Sequence, residues 1–192
     1  MALPRRLPSL ERYAAARRLM ARVPGTDPEA VDTCLWLWRF SEVMSASFEA
    51  FYAAHGLSSA RGHVLLQLYE AERGLTPAQL ADRAGMTPPS MTGLLRLLQR
   101  QGLIRRQRMS GDRRSHCILL TAAGRRRVES LLPTLASRLS QLAGALGPAE
   151  REAMVAGSRR LCDQARALRE AAPQVGPDGV RAVSAGARSS RR

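Results

Sequence analysis

Apolar residues recur at helical spacing through most of the chain. In DTCLWLWRFSEVMSASFEAFYAAHG, residues 32–56, Leu37, Met44, Phe48 and Phe51 mark one face and further apolar residues flank it. A helix apolar around so much of its circumference predicts burial by more than one partner, and Gly56 ends it. A shorter helix, SARGHVLLQLYEAERG, runs to Gly74. Thr76-Pro77 and Thr87-Pro88 each set a capping hydroxyl before a proline at the first helical position, predicting two short helices, PAQLADRAG and PPSMTGLLRLLQRQG. The pattern then turns strand-like in LIRRQRM and SHCILLT, joined by SGDRR. Two long amphipathic helices follow, AAGRRRVESLLPTLASRLSQLAGAL and PAEREAMVAGSRRLCDQARALREAA. Thr121 caps the first, and Pro133 inside it predicts a kink or short break.

The ends differ from this middle. Residues 1–30 carry Pro4, Pro8, Pro24, Gly25 and Pro28 around one alanine-rich helical stretch capped by Ser9, and read as a partly helical arm. Residues 173–192 are dense in Gly, Pro, Ser and Arg, hold too few large apolar residues to pack, and are expected to be disordered. Between them, 57–120 carries the short helices and the hairpin, and 31–56 and 121–172 supply long flanking helices. The fold class is therefore mainly α with a small β-hairpin wing.

Charge sharpens this picture. The 192 residues carry a formal net charge of +14, and every basic residue is arginine. From Arg83 to Arg127 there are eleven arginines against one acidic residue, Asp112. A basic excess concentrated in a folded segment points to a polyanion, most commonly nucleic acid. Aromatic residues make up only 4%, so the core must be built from Leu, Ala, Val and Met. Cys34, Cys117 and Cys162 are far apart and form no C-x-x-C pair, which argues against a zinc module and for a reducing compartment. No signal peptide and no apolar run long enough for a membrane span is present, so a cytoplasmic protein without membrane partners is expected. His55, His63 and His116 lack metal-ligand spacing, and no phosphate loop or nucleophile motif occurs; neither enzyme activity nor a cofactor is expected.

Ala81, Gly85 and Met91 stand at the spacing of a helix-turn-helix: a small residue where two helices touch, a glycine at the turn, an apolar anchor beyond it. The second helix would bury Met91, Leu94, Leu95 and Leu98, leaving Thr87, Pro89, Ser90, Thr92, Gly93 and Arg96 to face a major groove, so 57–120 is the expected DNA-binding region, a winged helix-turn-helix. In the hairpin, Arg105, Arg106, Arg108 and Arg113 can meet phosphates. The run LTPAQLADRAGMTPPSMTGLLRLLQRQGLIRRQRMSGDRRSHCILLTAAG resembles the MarR family of bacterial transcriptional regulators, whose D-x-R and L-T-x-x-G motifs fall here on Asp112, Arg114, Leu120, Thr121 and Gly124. Gly102-Leu103-Ile104 matches the family's exit from recognition helix to wing, whereas Gly93 stands where many members carry a DNA-contacting arginine. The resemblance implies that Arg114 enters a minor groove and that Asp112 orients it.

The resemblance also implies a homodimer held by the N- and C-terminal helices, reading a pseudo-palindromic double-stranded operator as a repressor. Half-sites would lie about one turn, ~34–36 Å, apart. Many members release DNA on binding a small aromatic acid or phenolic effector. Trp36, Phe40 and Phe51, with Trp38, Phe48 and Tyr52, offer flat apolar walls, and Arg39, Arg61 or His63 a partner for a carboxylate; each also fits an ordinary core or helix position. One alternative is a thiol-based peroxide sensor through Cys34. The places where such members carry supporting tyrosines are Trp38 and Phe48 here, so Cys34 is expected to be buried and unreactive. A second alternative is an architectural protein that coats DNA without sensing anything.

Overall fold

In the computed structural model the described residues are 9–109 and 112–171, with backbone alone at 109 and 112–115. The hairpin tip at 110–111 and the disorder expected of 173–192 lie outside them. Seven helices and one hairpin follow in the order α1 (Leu10–Met20), α2 (Pro28–Ala54), α3 (Ser59–Glu70), α4 (Pro77–Ala84), α5 (Pro88–Arg100), β1 (Ile104–Met109), β2 (Asp112–Leu120), α6 (Ala122–Ala143) and α7 (Pro148–Ala171). The described residues fall into two units that divide after Pro133, within α6.

The first unit owns the apolar core. Tyr52 from α2, Val64, Leu65 and Leu68 from α3, Leu80 from α4, and Met91, Leu95 and Leu98 from α5 are all buried. Ile104, Ile118, Val128 and Leu131 are buried with them, so β1, β2 and the start of α6 share this burial. The two strands are antiparallel, from Ile104 opposite Leu120 to Arg108 opposite His116, and Leu75 adds an isolated bridge to Ile118. One step later Met109 pairs with Asp112, so the pairing advances one residue on β1 while skipping Arg113, Arg114 and Ser115 on β2. A bulge of this kind bends a strand and raises its twist. Asp112, Arg113 and Arg114 thus belong to a strand by backbone, where the sequence reading set them in the connecting turn.

Three features of the helices depart from expectation. The long helix α2 starts at Pro28 rather than near Asp32, because the Asp27 carboxylate caps it, accepting from the amides of Glu29 (2.9 Å) and Ala30 (3.3 Å). The expected arm at 1–30 contains α1, which packs against α2 instead of standing apart. Pro133 does not break α6, which runs on to Ala143. In the second unit, α7 has no buried residue at all, although it is 24 residues long.

Candidate nucleic-acid interface

The site is built on the α4–turn–α5 segment. Thr76 and Gln79 form a full capping box at the start of α4: the Gln79 amide donates to Thr76 Oγ1 (3.2 Å), and the Thr76 amide donates to Gln79 Oε1 (2.9 Å). At the other end Gly85 is left-handed (φ 59°, ψ 33°), and the Met86 amide donates to the Ala81 carbonyl at 2.9 Å, closing the helix and reversing the chain. Ala81 is buried at this corner, as a small residue between touching helices must be.

Thr87 does not cap α5 as its sequence position predicts. Pro88 and Pro89 leave the Ser90 amide, at the third helical position, as the first N–H that a cap could accept from, and Thr87 does not take it. The Thr87 hydroxyl turns instead to Ser90 Oγ (2.9 Å). Met91, Leu94, Leu95 and Leu98 are buried as expected. Thr87, Pro89, Ser90, Gly93 and Arg96 are exposed, and Thr92 is half-buried with its hydroxyl on the Pro88 carbonyl (2.9 Å). At about 100° per residue, the line opposite the four buried side chains is Pro89, Gly93, Arg96 and Arg100. Arg100, exposed and on that line, is a candidate that the sequence reading missed.

The L-T-x-x-G motif acts as a clamp between recognition helix and wing. The Thr121 hydroxyl donates to the Gly102 carbonyl (2.6 Å) and accepts from the Gly124 amide (3.0 Å), while the Thr121 amide donates to the Leu103 carbonyl (3.0 Å). A Cβ on Gly124 would lie 2.0 Å from the Leu103 oxygen, so only glycine fits where α6 crosses the exit of α5. One threonine and one missing methyl group thereby fix where β1 and β2 leave the helix.

Along β1, Arg105, Arg106 and Arg108 are exposed. Arg105 leans on Gln107 Oε1 (2.6 Å), its neighbour on the same face. The side chains of Asp112, Arg113 and Arg114 lie outside the described residues. Not every arginine in the basic segment serves this surface. Arg83 pairs with Glu70 (3.4 Å), and Arg125 stacks on the Tyr69 ring (5.0 Å to the centroid). Arg127 donates to the His55 carbonyl at the end of α2, where a cation satisfies the carbonyl end of a helix.

The residues read as an effector pocket divide into two sets. Phe51 is 2% exposed and packs on Tyr52 and His55, so it is core. His63 meets the Tyr52 ring edge-on (5.5 Å), and Arg61 Nε donates to Ser58 Oγ (3.2 Å), both near that end of α2. Burial raises the Tyr52 phenol above its ordinary pKa. Trp36, Arg39 and Phe40 belong to the other end; Trp36 and Phe51 are fifteen residues apart on one helix, about 22 Å, too far to line one small pocket within a protomer.

At that other end α1 covers α2. Arg39 lies 5.3 Å from the Tyr13 ring centroid, Arg12 lies 5.3 Å from that of Trp38, and the Tyr13 hydroxyl donates to Glu42. Arg12 pairs with Glu42 (3.4 Å) and Arg17 with Asp32 (2.9 Å). The hydrogen bond to Glu42, then desolvation and the carboxylate charge, raise the Tyr13 phenol above its ordinary pKa. Trp36 and Trp38 remain 64% and 55% exposed, and Cys34 is exposed rather than buried. Among the described residues no His, Cys, Asp and Glu side chains gather to hold a metal ion, and no helix is long and apolar enough to cross a membrane.

Known proteins share this arrangement. The MarR family model matches residues 55–115, from the end of α2 into the wing. The transcriptional repressor YetL of Bacillus subtilis is 34% identical over 115 residues, covering 59% of this chain and 69% of its own length. The transcriptional regulator TtmR of Methylorubrum extorquens is 29% identical over 114 residues, 58% of each chain. Among solved structures, Staphylococcus aureus MepR in complex with DNA superposes with a TM-score of 0.62 at 28% identity, over 67% of this chain and 96% of MepR. With its helix-turn-helix, its clamped two-stranded wing and these relatives, the chain belongs to the MarR family of DNA-binding transcriptional regulators.

Proposed function

We propose that the protein is a homodimeric repressor that reads a pseudo-palindromic operator and releases it on binding a small aromatic acid or phenol. The observation that carries the DNA half of this reading is the exposed outer line of α5 beside the exposed Arg105, Arg106 and Arg108 of β1. YetL, named as a repressor, supports the sign of regulation, and the MepR–DNA complex supports the mode. The dimer is supported by apolar side chains that the protomer leaves uncovered: Trp36 and Trp38 on α2, and Met154, Val155, Leu161 and Leu168 on α7. In the wing, Arg114 enters a minor groove with Asp112 orienting it, while Arg106 meets phosphate. Arg114→Ala and Asp112→Ala then weaken operator binding far more than Arg106→Ala in a mobility-shift titration. Equal, small losses in all three would refute the wing assignment.

For the effector, the two separated sets give two carboxylate partners, Arg39 beside Trp36 and Phe40, or Arg61 and His63 at the α2–α3 corner. An effector releases DNA only by binding the DNA-free state better. Titrating Arg39→Ala and His63→Ala with a panel of aromatic acids identifies which set answers; release that persists in both contradicts the proposal. The exposure of Cys34 favours one rival, a peroxide-responsive thiol. Loss of release in Cys34→Ser alone, and toward peroxide alone, would establish the rival.

A further inference from the structure

The outer line of α5 is unusual in what it lacks. Its first two residues, Pro89 and Gly93, carry no side-chain donor or acceptor, and both are exposed. A Cβ placed on Gly93 would meet nothing within 4 Å, so no packing within the protomer requires a glycine there. Glycine inside a helix lowers its stability relative to alanine, and here the fold returns nothing for it. Beside this line the Thr92 hydroxyl donates to the Pro88 carbonyl and the Thr87 hydroxyl to Ser90 Oγ. The first side chain along the line able to donate to a base is Arg96, two turns beyond Pro89.

A bare backbone flanked by a proline ring lets the helix sit deeper in a groove and presents only carbon there. In the major groove the one apolar feature on a base edge is the C5 methyl of thymine, while a guanidinium pairs with guanine O6 and N7. Resting on the reading that α5 enters a major groove, we infer that Pro89 and Gly93 form an apolar notch selecting thymine through its methyl group, with Arg96 selecting a guanine beside it. The notch sets base preference without a hydrogen bond; a side chain at position 93 would hold the methyl group off.

The test uses the full-length protein and a duplex enriched from a random DNA pool. Each thymine of that duplex is replaced singly by deoxyuridine, which removes only the methyl group. Binding is expected to fall about fourfold at one or two positions in each half-site, from loss of one buried methyl contact to the base. In Gly93→Gln, whose side chain has open space, the same replacements cost nothing and adenine becomes preferred at those positions. A circular-dichroism melt of the variant checks that the fold is kept. Tight binding of the enriched duplex with no sensitivity to deoxyuridine would overturn the notch while leaving the DNA reading intact. Sensitivity that persists unchanged in Gly93→Gln would overturn it as well, since the methyl would then be read elsewhere. Failure to enrich any duplex would overturn both readings together.

Discussion

α5 and α7 are both amphipathic helices, yet they stand in opposite conditions. α5 has 13 residues and buries four of them; α7 has 24 and buries none. In α5 the apolar stripe of Met91, Leu94, Leu95 and Leu98 is satisfied inside the protomer, and Leu97 is left exposed among the outward polar and bare positions. In α7 the stripe itself faces outward, through Met154, Val155, Leu161 and Leu168. An apolar stripe without a partner is costly to leave in water, and in the proposed dimer a second copy would supply a partner by symmetry. One helix thus finds its apolar partners within a single chain, and the other leaves its stripe for the proposed partner copy.

The sharpest way to break this contrast is to substitute each stripe in turn. Leu95 is 1% exposed, and Leu95→Ala is expected to cost about 2–5 kcal/mol through lost burial and a cavity, read as a lower denaturant midpoint at every protein concentration. Met154→Asp with Leu161→Asp acts on association instead. The dimer dissociation constant in sedimentation equilibrium should rise about a hundredfold, ~2.7 kcal/mol, and thermal stability should lose its dependence on protein concentration. A double variant that dimerises like the parent would show that α7 is not the interface. Gly124→Ala tests the clamp: its Cβ meets a backbone carbonyl, so a loss of about 1–3 kcal/mol is expected together with weaker DNA binding. An unchanged melt would mean that α6 can shift at no cost.

The smallest effect concerns α1. The Tyr13 phenol, raised by Glu42, stays protonated in the docked helix after a free tyrosine has ionised. The bond therefore contributes fully below the ordinary tyrosine value, about 10, and is lost as the pH climbs through the raised value. Trp38 fluorescence, which reports α1 docking, should hold steady from neutral pH to about 9 and change only above the ordinary tyrosine value. Tyr13→Phe should remove that transition; its persistence in the variant would assign it to another group.

The contrast also explains what the sequence disclosed. Met91, Leu94, Leu95 and Leu98 were legible because a helical period against polar neighbours leaves one choice of inner face. The partners of arginines were not legible, since a run such as Arg125–Arg126–Arg127 reads as charge wherever it lies. Arg127 meets a carbonyl seventy-two residues away, and Arg125 meets the Tyr69 ring, so two charges counted toward DNA serve the fold. The docking of α1 was hidden for the same reason: Arg12, Tyr13, Trp38 and Glu42 come together only in three dimensions. The L-T-x-x-G motif was visible as a pattern, but its cause, a glycine with a carbonyl where its side chain would be, belongs to the folded chain. The wing residues Asp112 and Arg114 remain assigned by their motif.

In the proposed complex, two copies of one winged helix set their α5 helices into successive major grooves of the same duplex. The most direct measurement is the sequence that the full-length protein enriches from random double-stranded DNA. The expected product is an inverted repeat whose half-site centres lie about one helical turn, ~34–36 Å, apart. Enrichment of a single unrepeated half-site, or of no sequence at all, would contradict it.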